Sequence, residues 1–145
     1  MARVYVSSVL NATVSSVWNR IRDFNGLSRW HPTIRDSKIE DGNPSDKVGC
    51  IRNFHLQNGD QIREQLLALS DYDYFYTYSI LESPMPLSDY IATIRLTPIT
   101  EIDGSFIEWT AEFDCEAADA EDLINTIGQN VFQAGFDSLK RHFDA

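Results

Sequence analysis

The residues best able to do chemistry lie on two strands joined by a hairpin. Val48–Gln57 and Gln61–Ser70 flank the turn Asn58-Gly59-Asp60. A two-residue turn would set Phe54 opposite Arg63 and Leu56 opposite Gln61, apolar against polar. A three-residue loop sets Phe54 opposite Glu64 and Leu56 opposite Ile62, and this is the register expected. It gathers Cys50, Arg52, Phe54, Leu56, Ile62, Glu64, Leu66 and Ala68 on one face, so Arg52 and Glu64 share an apolar surface. A lone buried carboxylate rises in pKa and can serve as acid or base. One paired with a guanidinium is mainly architectural. Glu64 is thus a structural partner of Arg52, a ligand contact or a catalytic group.

Other candidates converge on the same face. Tyr76, Tyr78 and Ile80 alternate along one strand, Tyr90 opens the next, and Trp109 and Phe113 share the apolar side of the last. Tyrosines combine an apolar body with a hydrogen-bonding tip. Trp109 reads either as core or as a ligand contact. His31, between Trp30 and Pro32, either packs near the surface or touches a ligand at a pocket mouth, whereas His55 and His142 have no partner pattern. Three histidines and two cysteines without ligand spacing predict no metal. No GxGxxG, P-loop or GxSxG occurs, and no cofactor is expected.

The elements that must position these groups can be read from periodicity. Residues 3–10 alternate as a strand. Val14, Val17, Trp18 and Ile21 then recur at helical spacing behind Thr13 as N-cap, and a second short helix is expected from Leu27 to Trp30. Six further strands follow, at Ile34–Glu40, Val48–Gln57, Gln61–Ser70, Tyr74–Leu81, Tyr90–Thr97 and Phe106–Cys115. Short turns between consecutive strands require antiparallel pairing. In the last, Ile107, Trp109, Ala111, Phe113 and Cys115 alternate with polar residues, so one face is buried and the other wet. A long helix is expected from near Asp119, with Ile124, Val131, Phe132, Phe136, Leu139 and Phe143 on its buried stripe. Gly128 and Gly135 interrupt that stripe at a cost of ~1 kcal/mol each relative to Ala. They mark either close contact with the sheet or space for a ligand, and at Gly135 the expectation is space.

The whole chain has 145 residues, one domain by length, with 43% hydrophobic and 12% aromatic residues. Its 22 acids against 12 bases give a formal charge of −10, which opposes nucleic acid and anionic lipid surfaces as partners. The start lacks an apolar signal-like region, and no run approaches the ~20 apolar residues of a membrane span. Cys50 and Cys115 lie far apart. A cytoplasmic protein with reduced thiols is the expectation. A homodimer is compatible with the sequence, but nothing in it argues for one.

The order of these motifs resembles the START-like helix-grip superfamily (SRPBCC), and within it the polyketide cyclase/dehydrase and lipid-transport branch. The residues that carry the resemblance are Val17-Trp18 through Phe24, Trp30-His31-Pro32 and Val48-Gly49-Cys50-Ile51-Arg52. Glu64-Gln65-Leu66-Leu67, Tyr78-Ser79-Ile80 through Tyr90, and Trp109 complete it. The resemblance implies an α+β fold: a curved seven-stranded antiparallel sheet wrapped around a long C-terminal helix, with two short helices after the first strand. The layout is also similar to plant abscisic-acid receptors and birch-pollen-allergen-type proteins. In the receptors a Lys at the position of His31 holds the ligand carboxylate, and Glu64 and Tyr90 match a Glu and a Tyr. The missing Lys and gating-loop signatures imply that the cavity transfers and the receptor role does not.

A cavity between sheet and helix is therefore expected, lined by His31, Arg52, Phe54, Glu64, Leu66 and Tyr78, and further by Ile80, Tyr90, Trp109, Phe113, Val131 and Gly135. The leading function is binding, transport or sensing of a small hydrophobic or amphipathic molecule. The alternative is a polyketide cyclase, aromatase or dehydratase-like enzyme using Glu64, His31 or Tyr90 as acid or base. A third is a protein-interaction module with a closed core.

Overall fold

A computed structural model describes residues 1–144. The first strand, β1 (Ala2–Leu10), leads through Thr13 into α1 (Val14–Ile21), where the Thr13 side chain caps the Ser16 amide as the sequence indicated. A 3-10 turn (Phe24–Gly26) and α2 (Leu27–Trp30) follow. Six strands come next: β2 (Ile34–Ile39), β3 (Ile51–Leu56), β4 (Gln61–Ser70), β5 (Phe75–Glu82), β6 (Ser88–Ile99) and β7 (Gly104–Asp114). With β1 they form one seven-stranded antiparallel sheet in the order β1-β7-β6-β5-β4-β3-β2. The first two strands are thus its two edges, and α1 and α2 bridge between them. The chain ends in a continuous helix of three parts: α3 (Ala120–Asn125), a π-helical segment (Thr126–Gln133) and α4 (Ala134–Asp144). This is the α+β helix-grip arrangement the motif order implied.

Alternation decides what the sheet buries. Ile107, Trp109, Ala111 and Phe113 of β7 and Tyr90, Ala92, Ile94 and Leu96 of β6 face the helix and are almost fully buried. Leu123, Ile127, Phe132, Phe136 and Leu139 answer from the C-terminal helix. Trp109 stacks on Phe132 with ring centroids 4.4 Å apart.

Four local expectations need correction. The hairpin loop is Gln57-Asn58-Gly59, with the Leu56 amide bonded to the Asp60 carbonyl and Gly59 at φ +95°. Glycine supplies the left-handed turn position, and Asp60 stays with the ladder. Arg52 therefore lies directly opposite Glu64, and Phe54 opposite Ile62. The slip is two residues, so face membership survives. β3 starts only at Ile51, because Gly49 adopts φ +96° and turns the chain ahead of it. In β4 a bulge between Leu66 and Ala68 moves Leu69, not Ala68, onto the inner face opposite Tyr76. In the terminal helix, the widened π-helical turn carries Leu123 and Ile127 inward, while Ile124 and Val131 are only half-buried.

The glycine reading also changes. A Cβ on Gly128 would meet Val4 Cγ1 at 3.5 Å, ordinary contact with the edge strand. A Cβ on Gly135 would come within 3.0 Å of His31 Cδ2 and Trp30 Cζ3, and within 3.2 Å of Trp109 Cζ3. Gly135 is therefore a site of close packing, not of open space.

Candidate functional site

Between the sheet and the π-helical segment lies a cavity of about 500 Å³, within the roughly 300–1,000 Å³ usual for small-molecule sites. Its walls are mainly apolar: Leu27 of α2, Ile34 of β2, Phe54 of β3, Ile62 of β4 and Ile80 of β5, with Ile127 and Val131 from the helix side. Asn58 and Asp60 of the hairpin, Pro84 and Met85 of the β5–β6 loop, and Thr126 and Asn130 surround the mouth.

Of the residues singled out from sequence, His31, Arg52, Phe54 and Glu64 line this space, as do Tyr78, Ile80, Tyr90, Trp109 and Val131. Leu66, Phe113 and Gly135 do not. The ring of Tyr90 stacks on Phe113 at 6.0 Å and takes the wall position there. Leu66 is fully buried opposite Tyr78, whose ring forms the lining. Gly135 is covered by the rings of Trp30, His31 and Trp109. Leu27, Ile34, Met85, Ile127 and Asn130 were missed. Their positions depend on α2, the loop and the π-helical segment folding back over the sheet, which no local periodicity reports.

The polar centre is the Arg52–Glu64 pair. Arg52 is 1% exposed. Its Nε and Nη2 both approach Glu64 Oε1, at 2.8 and 2.6 Å, and its Nη1 donates to the Phe24 carbonyl at 3.1 Å. Its guanidinium lies 4.0 Å from the centroid of Phe24 and 4.8 Å from that of Tyr78, a cation sandwiched between aromatic faces. Burial works against the guanidinium charge, but Glu64 outweighs it and the Arg52 pKa is raised. Burial likewise pushes the Glu64 carboxyl above its ordinary range, against the pull of Arg52. Glu64 Oε2 accepts from no donor among the described residues, and it is not sealed from solvent.

Two of the rings behind the pair are joined by a hydrogen bond. Trp109 Nε1 donates to the Tyr78 hydroxyl at 3.0 Å. Burial drives the phenol pKa of both Tyr78 and Tyr90 upward, so both remain neutral. His31 is only 2% exposed, which settles it as a buried group. The Thr33 amide and hydroxyl point at its Nδ1, at 3.3 and 3.0 Å, so Nε2 carries the proton and donates to the Val131 carbonyl at 2.6 Å. Both ring nitrogens are engaged. His31 joins α2 to the π-helical segment and has no position left for proton transfer.

Burial lowers the His31 pKa from 6.5 to about 4. In the window between those values the unfolded chain binds a proton that the folded chain refuses, so stability rises with pH. The expected contribution is about 3 kcal/mol lost on acidification from pH 6.5 to 4. Urea unfolding across that range should show a shallower pH slope for His31→Gln than for the parent. Equal slopes would mean that His31 is not held neutral.

Among the described residues no group of three or more His, Cys, Asp or Glu is placed to hold a metal ion. Among the described residues, likewise, no helix is long and apolar enough to cross a membrane.

Comparison with known proteins places this architecture in context. The protein XoxI of Bacillus cereus is 31% identical, with 99% of this chain and 96% of that one covered and a TM-score of 0.88. An uncharacterized protein of Bacillus thuringiensis is 30% identical, with 99% and 100% covered and the same TM-score of 0.88. A Thermobifida fusca structure is 26% identical, with 99% and 93% covered and a TM-score of 0.90. A family model described as polyketide cyclase / dehydrase and lipid transport matches residues 1–144. With its whole described length matched, the chain belongs to the polyketide cyclase/dehydrase and lipid transport family.

Proposed function

We propose that this protein binds a small hydrophobic or amphipathic molecule between its sheet and its C-terminal helix, for transport, sequestration or sensing. The observation that carries this reading is the cavity of about 500 Å³, apolar on most sides and containing one buried ion pair. Such a mixture suits a ligand with an apolar body and a single polar end. The family's lipid-transport members are in keeping with it. The two free cysteines fit a reducing, cytoplasmic setting.

A neutral apolar fluorophore, N-phenyl-1-naphthylamine, tests the proposal. Saturable one-to-one binding is expected with roughly micromolar affinity, ~8 kcal/mol, accompanied by quenching of tryptophan emission through Trp109. Ile80→Trp, which places bulk in the cavity, should weaken binding at least tenfold while the protein stays folded. Absence of saturable binding, or binding indifferent to Ile80→Trp, would count against the cavity as the site.

A second reading, ring closure or dehydration of a polyketide-like substrate, has one observation in its favour. Glu64 is a cavity carboxyl whose pKa burial raises, with Tyr90 on the same wall. Because both nitrogens of His31 are spent, Glu64 and Tyr90 are the groups to which this chemistry would fall.

A further inference from the structure

The Arg52–Glu64 pair is asymmetric, and the asymmetry bears on the chemical class of ligand. Every polar contact that Glu64 makes with Arg52 falls on Oε1, and the remaining Arg52 contact goes to the Phe24 carbonyl. The cation is walled in by Phe24 and Tyr78. Its Nε, Nη1 and Nη2 each already hold an acceptor, Glu64 Oε1 or the Phe24 carbonyl. Glu64 Oε2, by contrast, has no donor among the described residues and is not sealed off, and Glu64 lines the cavity. The other charged group along the cavity is Asp60, at the mouth, and it is also an acid. Among the described residues the cavity therefore offers an ionic acceptor, and a cation that is 1% exposed and already paired.

We infer that the ligand's polar end is a neutral hydrogen-bond donor, an alcohol or phenol, seated on Glu64 Oε2, and that carboxylate- or phosphate-ended molecules are excluded. This rests on the cavity-binding reading above and narrows it. An anionic end would meet the open lone pairs of Glu64 with no cation free to balance it, and a buried unpaired charge is strongly disfavoured. An ammonium end would reach Oε2 but would share a low-dielectric site with the Arg52 guanidinium, whose charge already balances Glu64. A hydroxyl adds no charge. It supplies a hydrogen bond to the oxygen that has none, and its omission would leave Oε2 unpaired beneath an apolar ligand.

The test uses four compounds with one octyl tail: 4-octylphenol, 4-octylanisole, 4-octylbenzoate and 4-octylbenzylamine, each titrated calorimetrically into the intact protein at pH 7.5. The phenol should bind at least tenfold more tightly than each of the others. Glu64→Gln keeps an oxygen for Arg52 and turns an amide N–H toward the cavity, so it should abolish the preference for phenol over anisole. Equal binding of phenol and anisole by the parent protein would overturn the inference and leave the cavity reading standing. Tightest binding of the benzoate or the benzylamine would do the same. Failure of all four compounds to bind would bring down both. Should Glu64→Gln fail to fold, the ranking with the parent protein decides alone.

Discussion

Replacing Arg52 with alanine is expected to destabilise the protein by about 3–5 kcal/mol, the cost of breaking a buried ion pair from one side. Three losses combine. The Glu64 carboxylate is left without its partner in a site where burial already raises its pKa. The Phe24 carbonyl loses a donor. A fully buried side chain packed between Phe24 and Tyr78 becomes a void. The double replacement Arg52→Met with Glu64→Leu removes both charges and keeps most of the volume, so it should recover much of the loss. Urea unfolding of the single and double variants measures this directly. An Arg52→Ala protein as stable as its parent would show that the pair does not hold the fold together.

Gly135→Leu carries the second large effect, with an expected loss of about 3 kcal/mol or more from overpacking. The new side chain would start within 3.0 Å of two rings and 3.2 Å of a third. Two of the three cannot yield cheaply. His31 is held by Val131 and Thr33, and Trp109 is fixed between the Tyr78 hydroxyl and the stacked ring of Phe132. The ~1 kcal/mol of helix propensity gained by removing a glycine is too small to offset this. A melting temperature that holds or rises, with probe binding lost, would instead mean that Gly135 faces open space.

That reversal shows where the sequence stops being informative. The seven strands, the capped first helix and the turn at Leu27–Trp30 were legible because period-2 alternation and capping are local signals. Arg52 and Glu64 were placed on one face despite a register error, since a slip of two residues preserves the parity that decides facing. Ala68 was misplaced because a bulge breaks that parity, and nothing in Leu66-Leu67-Ala68-Leu69 announces one. The π-helical turn was invisible for a related reason: the apolar spacing of the terminal helix also fits an ordinary α-helix. The role of His31 depends on a carbonyl 100 residues away, and the crowding at Gly135 on rings from α2 and β7. Such contacts belong to the assembled fold. The cavity was legible as an apolar face carrying two charges, while its mouth and the one-sided geometry of its ion pair were not.

The central claim, that a small apolar molecule enters between sheet and helix, is tested most directly by the three tryptophan indole N–H resonances. Trp109 lines the cavity, whereas Trp18 is tied to Asp71 outside it and Trp30 is buried away from the lining. In a nitrogen–proton correlation spectrum titrated with 4-octylphenol, or with N-phenyl-1-naphthylamine, the Trp109 signal should shift saturably while that of Trp18 stays in place. Backbone amides of Ile80, Tyr90 and Val131 should move with Trp109. Shifts centred on Trp18, or confined to the outer face of the sheet with Trp109 unmoved, would contradict the account.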